Sequence, residues 1–345
     1  MKRKSGLGKA VNILLRYKVF IILVLICAVA SIASPYFLKA SNLFNVIRQI
    51  SMNGIIAVGF TLVLAEGSID LSVGSMVGLI GVCTAMLAKL NLPVPYITLV
   101  LIAIALGVAL GFLNGFVVST LKIPAFIATL ATQIAMRGVI YVITNNQHVT
   151  SLPDELEFFG QGYVGPIPFP VIILLVVTVI GYFVLKKTKF GRNAIAVGAN
   201  RDAAHYCGIH VKHTEYGVFV FMGACAGVAA LILTGRSGAA QTGAGMQMEM
   251  DSIAAVVMGG TPMTGGYGNI IGSIGGSLII GVISNVLNLT KVNSNWQYIV
   301  KGLLIIVAVL LDVQSTRIQN RLADKAVKES GNKVEAAPQT PSPGK

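Results

Sequence analysis

Charge is what this chain has least of. Asp, Glu, Lys and Arg make up 11% of its 345 residues, against about a quarter in an ordinary soluble domain. Apolar residues reach 54% and the mean hydropathy is +0.78. A soluble globular domain is thereby excluded. A phosphate-binding loop is also missing: the pairs Gly8–Lys9 and Gly344–Lys345 lack both the upstream glycine and the following Ser or Thr of GxxxxGK[ST]. Any ATP-driven step therefore needs an ATPase on another polypeptide. No nucleophile–His–acid set and no convergent carboxylates mark an enzyme site. The four cysteines lie apart, Cys27, Cys83 and Cys225 in apolar runs and Cys207 in a basic loop, so no disulfide framework is indicated. The net charge of +13 is not accompanied by an aromatic–basic platform for nucleic acid.

The apolar residues are gathered into long uncharged runs. None of the stretches between Lys18 and Lys39, between Glu215 and Arg236, or between Asp251 and Lys291 holds a charge. A membrane span needs about 20 residues, so the first two hold one helix each. The third, Ser252–Thr290, holds two, turning at the glycine-rich Thr261–Asn269. About ten segments fit this pattern: 19–38, 46–65, 71–89, 96–119, 124–144, 168–185, 214–234, 251–262, 268–289 and 296–312. The eighth is short for a full span and suits a re-entrant or broken helix. The expected fold is an all-α polytopic integral membrane protein. The basic start followed by Val19–Ala33 resembles a signal peptide, but the many spans beyond it and Pro35 at the cutting point favour a first span.

Basic residues cluster in 1–18, 186–213 and after Asp312. By the positive-inside rule these three regions are cytoplasmic, which places both termini inside. The loop 146–167, carrying Asp154, Glu155 and Glu157, then lies outside. Those acids form either a solvated face or a contact for an external partner. Residues 1–18 read as a basic N-terminus, 19–312 as the membrane domain and 313–345, ending in EAAPQTPSPGK, as a disordered tail. Segment 66–78 (EGSIDLSVGSMVG) is echoed weakly by 248–260 (MEMDSIAAVVMGG), a candidate internal repeat.

Loop 186–213 contains a short helix signal. Asn200 suits the capping position, and Gly208 suits a left-handed end. So small a helix cannot bury a core of its own, and rests either on lipid headgroups or on another subunit. His205, Cys207, His210 and His213 lack the paired spacing of a zinc site, so no metal is expected. Within the spans, ionisable and amide groups are functional candidates by default: Glu66, Asp70, Arg137, Glu249 and Asp251, with Asn53, Asn114, Gln133, Asn285 and Asn288. An isolated Asn serves equally well as an interhelical hydrogen bond. Gly107, Gly111 and Gly115 form a small-residue row suited to close helix packing.

IDLSVGS (Ile69–Ser75), GFLNG (Gly111–Gly115), IPAFIATL (Ile123–Leu130), RGVIYVIT (Arg137–Thr144), GR…AVGAN (Gly191–Asn200) and AAVVMGGTPMTGG (Ala254–Gly266) occur in this order. In order and spacing they resemble the permease subunits of ribose-type sugar ABC importers, over roughly residues 40–315. The resemblance implies a non-catalytic inner-membrane subunit in a prokaryote. Its partners would be a second permease chain, identical or not, ATPase subunits that bind ATP and magnesium, and an extracytoplasmic protein delivering a monosaccharide. It also implies that Gly191, Arg192, Gly198, Asn200, Asp202, Ala203, Ala204 and Gly208 couple to the ATPase. Asp70, Ser72, Asn114 and Arg137 become candidates for the pathway. One departure stands out: relatives commonly show Ala-Ala-Arg and then Ser-Gly-Ile, where this chain has Ala203-Ala204-His205 and Cys207-Gly208-Ile209. The rival reading is an ion-driven secondary transporter using Glu66, Asp70, Glu249 and Asp251.

Overall fold

The computed structural model describes residues 4–90 and 95–293 with scattered positions from 295 to 314, and side chains from Val19 onward. The tenth expected segment, 296–312, and the tail 313–345 fall largely or wholly outside the described residues. What is described is helical, as the sequence requires of a chain whose backbone must satisfy itself in lipid. The helices are α1 (Lys4–Ala33), α2 (Ala40–Glu66), α3 (Val73–Ala88), α4 (Ile97–Ser119), α5 (Ala125–Thr144), α6 (Asp154–Gln161), α7 (Phe169–Lys187), α8 (Lys189–Ala199), α9 (Arg201–Tyr206), α10 (Val211–Ser237), α11 (Met248–Met258) and α12 (Ile270–Leu289). Six of them, α2, α4, α5, α7, α10 and α12, are long and apolar enough to cross a membrane. Val19–Ala33 of α1, together with α3, is apolar but shorter.

Helix α2 is the axis of the molecule. Every residue from Ser51 to Glu66 is buried, and up to Ala65 the run is apolar on all sides except for small hydroxyls and Asn53. A helix hydrophobic all round belongs inside a bundle. Thr61 Oγ1 donates to its own Ala57 carbonyl and lies 2.8 Å from Ser273 Oγ of α12, so the hydroxyls cost nothing in the core. By contrast α4, α5 and α7 bury only one stripe each and present leucine, isoleucine, valine and phenylalanine outward.

The glycine row on α4 packs as expected, and its partner is α10. A side chain at Gly107 would strike the Gly223 carbonyl, one at Gly111 the Phe219 carbonyl, and one at Gly223 the Gly107 carbonyl. The two backbones touch, which gives the dispersion contact that membrane helices rely on in place of a hydrophobic effect. Asn285 of α12 and Asn42 of α2 exchange amide hydrogen bonds at 2.8 and 3.0 Å. This pair is interhelical packing.

One feature differs from the expected layout. The 146–167 region is not a bare loop: it holds strand β1 (Val149–Thr150), helix α6, and the hairpin of β2 (Tyr163–Val164) and β3 (Ile167–Pro168). Pro153 ahead of three acids in the first turn is a good helix start. Strand β1 also pairs antiparallel with β4 (Ala239–Ala240), tying the exit of α5 to the exit of α10. The eighth segment is the 11-residue α11, entered through the irregular segment 241–247 and left through 259–269, in keeping with a broken helix. The echoed segments differ in role, since Glu66 closes α2 whereas Glu249 opens α11.

Candidate functional site: the coupling segment and the polar seams

The basic segment 186–213 folds into two short helices. Thr188 caps α8, its Oγ1 accepting from Gly191 N at 3.1 Å. Asn200 caps α9, its Oδ1 accepting from Ala203 N at 2.9 Å. The chain then leaves α9 in a Schellman motif. Gly208 N donates to the His205 carbonyl and Ile209 N to the Ala204 carbonyl, both at 3.0 Å, with Gly208 at φ +81°. Both capping assignments made from sequence hold. Helix α9 buries Ala204 alone, against Val197, Val211 and Ile209. Arg201, Asp202, Ala203, His205, Tyr206 and Cys207 are exposed, Tyr206 at 87%.

This exposed stub is firmly rooted. Gly191 lies on the Val184 and Leu185 carbonyls at the end of α7, and Gly198 lies against the Ala65 carbonyl and Gly266 N. Gly266 N donates to that same Ala65 carbonyl at 2.9 Å. Four glycine backbones, Gly67, Gly198, Gly265 and Gly266, thus meet where α2 ends. A second tie is an ion pair between Arg201 of α9 and Glu215 of α10. Glu215 is 1% exposed, and Glu66, also buried, shares its electrostatic neighbourhood. Neither Arg201 nor Glu215 stood out in the sequence, being fourteen positions apart on separate elements. Among the described residues, no three His, Cys, Asp or Glu groups meet as a metal site would require.

The four residues expected in the pathway separate into two places. Asp70, Ser72 and Asn114 come together, and each is fully buried. Asp70 Oδ1 accepts from Ser72 N at 2.9 Å and from Ser72 Oγ at 2.6 Å, and Asn114 Nδ2 donates to Ser72 Oγ at 2.7 Å. Thr129 of α5 joins from the side, accepting from Leu71 N at 3.1 Å. The cluster binds the start of α3 to α4 and α5, with no face open in this chain. Arg137 is elsewhere, about 18 Å along α5 from its start. Its Nη1 donates to the Thr242 and Ala244 carbonyls at 2.8 and 3.0 Å, satisfying the irregular backbone ahead of α11. Gln133, one turn earlier, donates to Glu249 Oε1 at 3.2 Å. Sequence reasoning noted Gln133 and Glu249 singly but had no signal that would pair residues so far apart.

Asp154, Glu155 and Glu157 fill the first turn of α6. The helix leans on the end of α10, where Leu156 is buried and Gly160 meets the Arg236 backbone.

An all-helical bundle with broken helices at membrane depth and a rooted, exposed surface stub defines a multi-pass transport permease. Residues 42–309 match the family described as "Branched-chain amino acid transport system / permease component", and the chain belongs to that family. Ribose import permease protein RbsC of Haemophilus influenzae is 39% identical over 316 residues, which cover 90% of this chain and 97% of that protein. The Bacillus subtilis protein of the same name is 41% identical, covering 85% and 91%. D-allose transport system permease protein AlsC of Escherichia coli is 38% identical, covering 86% and 91%. No solved structure matches. These relatives are transport subunits and not enzymes.

Proposed function

We propose that the chain is a membrane subunit of an ATP-driven importer of a monosaccharide of the ribose kind. The observation that carries this reading is likeness, across nearly the whole chain, to permeases named for ribose and allose. The family description names amino acids instead, and the polar chemistry of the spans, amides and carboxylates with few cations, suits a neutral polyol. The basic end, with α8 and α9, is then cytoplasmic by its charge, as are both termini. Helices α8 and α9, from Gly191 and Arg192 through Gly198, Asn200, Asp202, Ala203 and Ala204 to Gly208, form the docking site for an ATPase subunit that holds ATP and magnesium. At the opposite end the acidic turn of α6, Asp154, Glu155 and Glu157, faces an extracytoplasmic sugar-binding protein. A second permease chain completes the pathway. Arg137 stands at its wall, and Asp70, Ser72 and Asn114 brace its base. An ion-driven mechanism is less favoured by the geometry, because Glu66, Asp70 and Glu249 make three separate sets of contacts.

Co-purification from the native host in mild detergent tests the assembly. A stoichiometric ATPase is expected with the wild type and is lost in a Gly208→Val, Asp202→Lys double variant. Uptake of radiolabelled ribose into proteoliposomes should then need ATP inside and persist when ion gradients are collapsed. A chain that purifies alone and moves solute down an ion gradient would overturn the reading.

A further inference from the structure

Helix α5 presents an unusual face for a membrane span. Phe126, Ile127, Leu130, Ile134 and Val142 are exposed and apolar, as lipid or a neighbouring chain requires. Along the edge of that face runs a row at helical spacing, Gln133, Arg137 and Tyr141. Gln133 and Arg137 are only partly buried, and Tyr141 is 39% exposed. Polar side chains at this depth are expensive and normally face the bundle interior or a water-filled cavity. Gln133 and Arg137 lie at the border of the bundle, where such groups call for water or a polar neighbour.

The seam has hydrogen-bonding capacity to spare. Glu249 is 4% exposed, and its Oε2 has no partner. It lies beside Gly74, where any side chain would collide with that oxygen, so α3 leaves it room. Ser252 Oγ, one turn further along α11, is likewise buried without a partner. Gln133 spends its amide nitrogen on Glu249 and keeps its carbonyl. Arg137 spends Nη1 on the loop carbonyls and, among the described residues, bonds through no other nitrogen. If Arg137 served only to satisfy segment 241–247, neither Gln133 nor the idle oxygen of Glu249 would be needed. An amide, a carboxylate and a guanidinium can address the vicinal hydroxyls of a small polyol, and the Tyr141 ring offers a surface for its C–H face.

We propose that Gln133, Arg137 and Glu249, with Tyr141 beyond them toward the acidic end, form a monosaccharide-contacting subsite on the pathway wall. The subsite deepens the permease reading and rests on it. The sugar passes between hydroxyl contacts on the α5–α11 seam and the Tyr141 ring, and the segment 241–247 that Arg137 holds positions the carboxylate.

Two measurements on the assembled complex test this. With Cys207, the exposed native thiol, replaced by serine, Gln133→Cys should react with a charged, water-soluble thiol reagent, whereas Ile134→Cys should not. Sugar-loaded binding protein should slow the Gln133→Cys reaction. An unreactive Cys at 133 would show that lipid or protein covers the seam and would overturn the proposal. In proteoliposomes, Gln133→Leu and Tyr141→Ala should each lower ribose uptake by up to about tenfold, the effect of one lost contact, at an unchanged amount of assembled complex. Uptake equal to wild type, or a loss explained by less assembled complex, would also overturn it. Failure of the wild type to move any sugar would instead count against the monosaccharide reading, with thiol reactivity still deciding whether the seam is wet.

Discussion

Gly208 offers a test in which backbone conformation is separated from crowding. Its φ of +81° lies in the left-handed region, yet a Cβ built there meets nothing within 4 Å. Any cost of substitution is therefore conformational. A non-glycine L-residue in that region costs about 1–2 kcal/mol, Asn least because it tolerates the conformation, and a β-branched residue most. That energy corresponds to roughly a 5- to 30-fold change in an equilibrium. It opposes the Schellman turn that fixes the end of α9 and seats Ile209 on Ala204. The expected order of function is Gly, Asn, Ala, Val, with Val losing most ATP-coupled uptake. The assay is sugar transported per ATP hydrolysed in proteoliposomes, with membrane insertion measured in parallel and expected to stay constant. A Val variant with wild-type coupling, or an Asn variant as impaired as Val, would refute the argument that the left-handed end orders the coupling segment.

Other perturbations separate structural from functional roles. Arg201→Ala leaves Glu215 buried without its partner. Because Arg201 is 59% exposed and water screens the pair, the expected loss is on the order of 1–3 kcal/mol. Adding Glu215→Gln should recover most of the melting temperature in detergent, and no recovery would mean the pair is not the cause. Gly107→Val drives a side chain into the Gly223 backbone and should cost about 1–3 kcal/mol or more, since backbone cannot swing aside. Thermal unfolding should show the same loss for Gly223→Val, and the double variant should lose less than the sum. Asn114→Leu removes the donor to Ser72 inside a sealed cluster. It should reduce folded yield, at about 1–3 kcal/mol, without changing which sugars compete for uptake; an altered sugar preference would mean that Asn114 contacts the sugar itself.

Much of the architecture is legible in the chain because lipid makes charge placement so restrictive. The uncharged runs ending at Lys39, Arg236 and Lys291 each deliver their helices. The Thr261–Asn269 turn falls between α11 and α12, and the Gly107 row and the Gly208 cap do what their geometry allows. Each of these is a local property. The sites were less legible because they are made of distant pairs. Gln133 meets Glu249 from 116 positions away, and Asn114 meets Ser72 from 42. Arg201 and Glu215 gave no sign of pairing, since an exposed Arg on a basic loop looks like any other cation. Helix α6 was hidden by its size: eight residues set between short strands fall below the length at which periodicity speaks.

The glycine node at the end of α2 bears on how force travels. A side chain at a joint would act as a gasket, compressing or sliding when one part moves against another. Where Gly67, Gly198, Gly265 and Gly266 meet, there is only bare backbone, with the Ala65 carbonyl hydrogen-bonded at its centre. Such a joint has almost no play. A displacement imposed on α8 and α9 cannot be absorbed there, and α2 must carry it along an axis buried on every side. The subunit is therefore built to shift as a rigid lever.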